Sequence, residues 1–269
     1  ILQFFITVMG IYNKLRRIFL ISVKRKLFFI NFIDVFLAEE INPSLTKKNF
    51  IVYHYAKKPG GKLFKESTYQ ISLEKNESEL LESMSKGNRS KLRRAKKEPY
   101  VVIVKDYPTD EELKEFQQFY NKFVKVKKTN RITSIQMRRL KVLRNKGVLY
   151  FTKLENTDGE ALCYQIRLVD KDLVLSLYGC TAVWIQDRPD LKQQIRYANR
   201  YLLWENMMYF KKMGYKTYDY GGITKIEGIN KFKEDLGFIE VETYHGFVTT
   251  SITGKFLKML HRMKIIYLF

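Results

Sequence analysis

Residues 218–238 read YDYGGITKIEGINKFKEDLGF, from Tyr218 to Phe238. The β formers up to Tyr220 predict the end of a strand, and the paired Gly221-Gly222 closes it. Two glycines at a strand end let a ligand approach the backbone closely, because no Cβ stands in the way. A short helix is expected next, over 228–236. Its first turn offers unpaired N–H groups to an anion or a developing oxyanion. Lys233 lies one turn into that helix and adds a positive charge. Asp219 can orient an amine or help to ionise it. The plainer reading of the same residues is a tight turn at the glycines and a hydrogen-bonded carboxylate at Asp219.

The flanking chain supplies the other elements. NFIVYHYA (Asn49–Ala56) alternates and predicts a strand, Pro59-Gly60-Gly61 a turn, and 69–73 a second strand. A helix is expected over 77–97, interrupted near Gly87-Asn88 and stopped by Pro99, then a strand over 100–105. Helices follow over 110–124, with acidic residues at the positive end of the dipole, and over 134–145, with Gly147 behind it. Strands at 148–155, 160–169 and 172–180 are joined by short turns of the antiparallel hairpin kind. Arg188-Pro189 sits in a loop before a helix over 197–213, which Gly214 ends. A strand over 215–220 and a long one over 238–249 complete the set. A meander followed by strand–helix crossovers gives a mixed sheet, and hence an α/β (α+β) fold class.

Charge points to the partner. The 269 residues hold 49 Lys plus Arg against 28 Asp plus Glu, a net of +21. That imbalance implies an anionic partner: nucleic acid, a phosphorylated substrate or an acidic membrane. From Phe116 through Leu154 there are eleven Lys or Arg and no acid. Two cysteines cannot staple a secreted scaffold or make a four-cysteine zinc site, and three histidines supply a metal enzyme poorly. No metal site is expected. The most apolar early stretch, Ile18–Ala38, is broken by Lys24-Arg25-Lys26 and Asp34, too often for a transmembrane helix. Residues 1–8 precede Met9 and read as an upstream extension outside the fold. Residues 11–38 and 255–265 both read as basic amphipathic helices, lying on an anionic surface or capping the core.

Two further stretches stand in a fixed order with Tyr218–Phe238. Ser85–Lys97 reads SKGNRSKLRRAKK and is followed by a strand; Ala198–Glu205 reads ANRYLLWE. Together with the Y-D-x-G-G-I strand end and the G-I-x-x-F-K-x-x-x-G helix, they resemble the FemABX-type aminoacyltransferases and their relatives with a GNAT-like acyltransferase fold. The resemblance covers about residues 80–250. Tyr220 stands where Phe is usual, and Leu236 where a second Phe is usual. The glycine-containing pyrophosphate loop of ordinary GNAT enzymes is replaced by Arg188–Asn199, which has no glycine and offers Lys192, Arg196 and Asn199 instead.

The resemblance implies a GNAT-like fold with a truncated N-terminal subdomain. It divides the chain into a basic segment (1–48), a partial first subdomain (49–108), an acyltransferase domain (109–252) and a basic C-terminal helix (253–269). It implies transfer of an activated acyl group to an amine of a cell-envelope or polysaccharide precursor, such as a peptidoglycan precursor. The donor is acyl-CoA or aminoacyl-tRNA as co-substrate, with no tightly bound cofactor. Such a reaction needs an unprotonated amine, a polarised carbonyl and stabilisation of the tetrahedral oxyanion. The catalytic residues so implied are Lys233, Asp219 and Tyr218. Donor or acceptor binding falls to Gly221, Gly222, Phe232, Asn199, Arg196, Tyr178, Arg89, Arg93 and Arg94. A cytoplasmic protein, peripheral on the inner face of the membrane, fits the donors and the basic segments.

Other residues read in two ways. Arg89, Lys91, Arg93, Arg94, Lys96 and Lys97 form either a solvated face or a phosphate-contacting one. His245 is a base or a structural histidine; Cys163 and Cys180 are small buried residues rather than nucleophiles. Trp184 and Trp204 read as core anchors. No helix–turn–helix, zinc-finger or RNP pattern is present, so sequence-specific DNA binding is not expected. A non-catalytic nucleic-acid or membrane-surface binder on the same fold is the alternative function. The glycine-flanked Asp219 and the Phe232-Lys233 pair separate the two, since a pure binder does not require that strand end.

Overall fold

The computed structural model describes residues 21–27, 30–41, 50–60, 63–185 and 188–249. The expectations for residues 1–20, Gly61 and the 255–265 helix lie outside them. The chain separates into two units, one of Tyr69–Ile239 and one of Ile18–Thr68 with Glu240–Phe269. Their borders at Tyr69 and Ile239 fall inside the stretches 49–108 and 109–252.

In the smaller unit, β1 (Ile21–Leu27) and β2 (Ile30–Phe36) pair antiparallel. Strand β2 pairs in parallel with β3 (Phe50–Ala56), and β3 pairs antiparallel with β10 (Ile239–Val248). The amphipathic helix expected over 11–38 is therefore corrected to a strand pair over 21–36. The period is two: Ile21 and Val23 are buried while Lys24 and Lys26 are exposed. Arg25 turns inward to Asp34, with Nε 2.7 Å from Oδ2. The basic triplet suggested a continuous polar helix face, but only its alternate members face water. Ile33, Val35, Ala38, Ile51, Tyr53 and Ala56 form this unit's core.

The larger unit holds, in order, the end of β4 (Phe64–Ser72), α1 (Glu77–Glu82), α2 (Lys86–Ala95), β5 (Val101–Lys105), α3 (Asp110–Lys127) and α4 (Ser134–Asn145). Then come β6 (Leu149–Glu155), β7 (Ala161–Asp170), β8 (Leu173–Thr181), α5 (Pro189–Lys212), β9 (Thr217–Gly222) and α6 (Glu227–Glu234). Its strands lie in the order β4-β9-β8-β7-β6-β5. Strands β5 to β8 are the antiparallel meander, and β8–β9 is the parallel pair that α5 connects. This is the mixed sheet the sequence predicts. Trp204, Met207 and Phe210 of α5 pack with Tyr69, Tyr150, Tyr218 and Phe238 in the main core, so Trp204 is an anchor.

Two helix boundaries differ from expectation. The break in the 77–97 helix falls at Ser83–Ser85, not at Gly87-Asn88. The Ser85 side chain accepts from the Asn88 amide at 3.4 Å and starts a new helix, so Gly87 is carried inside its first turn. Helix α5 begins at Pro189 rather than near 197, because proline at the first helical position has no N–H to leave unpaired and a φ already set for the helix.

Candidate active site at the end of strand β9

The parallel pair β8–β9 is registered only over Leu173–Leu175 against Thr217–Asp219. Both strands continue, β8 to Thr181 and β9 to Gly222. Their last paired position, Leu175 opposite Asp219, thus marks where the two strands part. Just beyond it β8 carries a bulge. Ile166 faces Tyr178 and Arg167 faces Ser176, which leaves Leu177 extra. A bulge at this point bends β8 and turns its backbone groups out of the ladder.

Four residues from the 218–238 stretch hold the end of β9. Gly221 has φ +91°, a conformation that costs glycine little. Asp219 is buried; its Oδ1 accepts from the Gly221 amide at 2.8 Å and its Oδ2 from Gln70 Nε2 at 2.9 Å. Lys233 is buried as well, and Nζ donates to the carbonyls of Gly221 (3.0 Å) and Gly222 (2.6 Å). Burial pulls its pKa down to about 8, against the pull of the Asp219 charge. Lys233 stands in the last turn of α6, where expectation placed it one turn from the start. Its ammonium lies over the rings of Tyr69 (5.1 Å) and Tyr220 (5.8 Å). Because C=O and N–H of a trans peptide point oppositely, Lys233 turns the N–H groups of Gly222 and Ile223 away from itself.

Beneath the parting strands runs a buried polar network. The Arg167 guanidinium is 1% exposed and meets no carboxylate among the described residues. It donates to the Tyr218 hydroxyl, to Gln165 Oε1, and to the carbonyls of Ile166 (3.2 Å) and Tyr178 (3.3 Å). Burial raises the Tyr218 pKa, a shift that Arg167 opposes. Gln165 Nε2 donates to Asn199 Oδ1 at 2.9 Å, and Asn199 Nδ2 to the Tyr220 hydroxyl at 3.2 Å. Asn206 Nδ2 donates to Gln165 Oε1 (2.7 Å) and Thr152 Oγ1 (3.1 Å). Tyr218 and Asn199 therefore belong to one connected network with β7, whose members sequence reasoning missed: Gln165, Arg167 and Asn206. The sequence signal for Gln165 and Arg167 is polar residues at inward positions of a strand that is otherwise apolar; Asn206 is a polar residue on the buried face of α5.

The remaining nominated residues divide. Phe232 lies half-buried under the Arg200 guanidinium, 4.8 Å from the ring centre, and Arg200 Nε donates to Asn88 Oδ1 at 2.8 Å. Tyr178 accepts from Arg139 at 3.2 Å and packs against Phe116 and Tyr120. Arg196 is exposed on α5. Arg89 is used locally: its guanidinium donates to the carbonyls of Met84 (2.5 Å) and Glu82 (3.2 Å). Arg93 and Arg94 are exposed in the last turn of α2. Burial raises the Cys163 thiol to about 12 and Cys180 well above its usual value, so neither is a thiolate. His245 belongs to the smaller unit. Among the described residues no three His, Cys, Asp or Glu side chains group as a metal site.

A search of solved structures gives the fold. The crystal structure of FemX superposes with a TM-score of 0.59 at 14% identity, covering 89% of this chain and 85% of that one. The chain shares the fold of FemX. The C-terminal domain of a putative lysylphosphatidylglycerol synthetase from Agrobacterium fabrum matches at TM-score 0.55 and 12% identity, covering 90% and 84%. L-PGS from Bacillus licheniformis matches at 0.54 and 12%, covering 91% and 85%. No family model matches the chain, and no curated protein does. At these identities the FemABX-type likeness is one of fold.

Proposed function

We propose that this protein is an N-acyltransferase that moves an activated acyl or aminoacyl group to the amine of a cell-envelope or polysaccharide precursor. The observation that carries the reading is the parting of β8 and β9 directly at Asp219, with the strand end held by Asp219 and Lys233. The donor is acyl-CoA or aminoacyl-tRNA. The neutral acceptor amine attacks the donor carbonyl, and the carbon becomes tetrahedral with a negative oxygen. That oxygen is met by backbone N–H groups at the parted strands, fixed in advance by the contacts of Lys233 and Asp219. The new C–N bond forms as the thioester or ester bond breaks. The amine's surplus proton leaves with the thiolate, the ribose oxygen or water.

Lys233 contributes positive potential close to the developing oxyanion and holds the Gly221 and Gly222 carbonyls; Asp219 braces the adjoining Tyr220–Gly221 peptide through its N–H. Tyr218, set by Arg167, supports the floor of the site. Phe232, Asn199 and Tyr178 line the approach, while Arg93, Arg94 and Arg196 offer exposed charge to donor or acceptor phosphates. Ile223, Ile226 and Ile229 are exposed beside the strand end and suit an apolar part of the substrate.

The test is direct. The purified protein is incubated with labelled acetyl-CoA or with a labelled mixture of aminoacyl-tRNAs, together with a peptidoglycan precursor bearing a free amine, and products are read by mass. Label in an amide of the acceptor supports the reading. The absence of both transfer and retention of either donor overturns it. A peripheral place on an anionic inner leaflet belongs to the same proposal. No helix among the described residues is long and apolar enough to cross a membrane. Co-sedimentation with anionic but not neutral vesicles tests this placement.

A further inference from the structure

The smaller unit has a cavity of about 370 Å³, lined by Tyr53, His54, Phe64, Glu66, His245 and Phe247, with Gly246. It is built by two departures from regular backbone that face each other. The β3–β10 register jumps from Tyr244 opposite Ala56 to Gly246 opposite Tyr53. Two residues of β3, His54 and Tyr55, therefore oppose the single His245. Tyr55 takes a left-handed φ of +54° and Gly246 a φ of +143°. Non-glycine residues are held in the left-handed region only where surrounding contacts require it. Here the requirement is visible: the Tyr55 amide donates to His245 Nε2 at 3.3 Å, and the Tyr55 ring packs on the imidazole at 4.4 Å.

The polar groups are ordered. His54 Nε2 lies 3.1 Å from Asp34 Oδ1, and Asp34 is held in turn by Arg25. The His54 ring stacks on Phe36 at 4.7 Å, so its orientation is fixed. Since His245 Nε2 accepts from a backbone amide, the neutral ring carries its proton on Nδ1. That N–H has no acceptor among the described residues, and the ring lines the cavity. At the mouth, Glu66 Oε2 lies 3.8 Å from His245 Nε2 with its side chain 57% exposed. Phe64, also exposed, and Phe247 supply an apolar wall.

The chamber thus offers an imidazole donor, a more exposed carboxylate and aromatic walls. A ligand matching all three carries an acceptor, a cation close to it and an apolar body. We propose that this cavity binds a free α-amino acid with a large apolar side chain, as a site of its own apart from the end of β9. The ligand carboxylate accepts from His245 Nδ1, its ammonium faces Glu66, and its side chain lies against Phe64 and Phe247. The volume suits a molecule of that size, at the small end of ligand cavities. This inference does not rest on the acyltransferase reading, and its test involves no turnover.

The experiment is an NMR titration of the full chain, with histidines labelled in the ring nitrogens. The probes are L-phenylalanine, 3-phenylpropionate, which lacks the ammonium, and phenethylamine, which lacks the carboxylate. The expected result is saturable movement of the His245 ring signals with L-phenylalanine in the millimolar range or below, and binding about tenfold weaker for either fragment. His245→Leu should abolish binding of L-phenylalanine and of 3-phenylpropionate. Glu66→Gln alters an exposed side chain and keeps the fold. It should weaken L-phenylalanine severalfold and leave 3-phenylpropionate unchanged. Unmoved His245 signals overturn the proposal, as does equal binding of all three probes, which would mark a merely apolar cavity.

Discussion

Lys233 Nζ donates to the Gly222 carbonyl at 2.6 Å, eleven residues back along the chain. This contact ties the last turn of α6 to the end of β9, at the point where that strand has left β8. The ammonium is nearly out of reach of water, and two peptide carbonyls and two aromatic faces stand in for its hydration.

The first prediction concerns that ammonium. With its pKa lowered to about 8 by burial, Lys233 should titrate well below the ordinary lysine value of 10.5. In the window from about 8 up to the ordinary value of 10.5, the unfolded chain keeps a proton that the folded chain has released, so this group makes stability rise with pH there. Nitrogen-15 lysine NMR should show one Nζ titrating near pH 8, absent from Lys233→Met. Finding every lysine near its ordinary value would remove the buried-ammonium account. Under the proposed function, Lys233→Ala should also lower turnover on the order of 100-fold.

A second prediction tests the packing behind the strand end. Gly237 has φ +86°, and a Cβ placed on it would lie 2.3 Å from Ser83 Oγ, 2.8 Å from Ser83 Cβ and 3.0 Å from Ser83 O. Gly237→Ala should therefore cost about 2–4 kcal/mol, from left-handed strain plus displacement of the α1–α2 turn. Chemical denaturation measures it, and a loss under about 0.5 kcal/mol would contradict the geometry.

The acid limb of stability should be set by the smaller unit. Burial, with the neighbouring His54, lowers the His245 pKa to about 4. Asp34 is held at about 2: burial works to raise it, and the hydrogen bonds and charges of His54 and Arg25 outweigh that. Both folded values lie below the unfolded ones. Their stability is therefore complete above about pH 6.5 and is lost as pH falls, first through the His245 window and then between about 4 and 2. For His245 the loss is on the order of 3 kcal/mol. His245→Gln should flatten the decline between pH 6.5 and 4; an unchanged pH profile would show that His245 is not buried neutral.

The basic helix α2 should separate by role. Arg93→Glu with Arg94→Glu changes two exposed side chains, and should weaken binding of a polyanion such as bulk tRNA while leaving the melting temperature within a few degrees. Arg89→Glu loses the contacts to Met84 and Glu82, leaves carbonyls unpaired, and should destabilise by about 1–3 kcal/mol. Binding titrations at low and high salt, beside thermal melts, distinguish the two. Salt-independent binding by the native chain would make the whole cluster a solvated face.

Much of the fold was legible in the chain. The helices that start at Asp110 and Ser134, the three-strand meander, and the strand–glycine–helix order around Gly221-Gly222 each follow from a local period and its punctuation. What was misread had two periods in competition. Ile21–Phe36 is basic enough to imitate a helix, and only pairing with β3 shows which residues face inward.

The candidate site divides in the same way. Sequence alone determined that a strand ends at Gly221-Gly222 beside Asp219, with a lysine following on a helix, because those are local and chemically distinctive facts. It could not determine that Lys233 turns back onto the glycine carbonyls, or that Arg167 lies under Tyr218, 51 residues away along the chain. Nor could it bring His54 and His245 to one cavity, since a register jump between strands far apart in sequence does so. Period and turn chemistry act over a few residues and are written in the chain. Strand pairing, burial of charge and the completion of a polar network depend on which distant segments meet, and only the tertiary structure decides that.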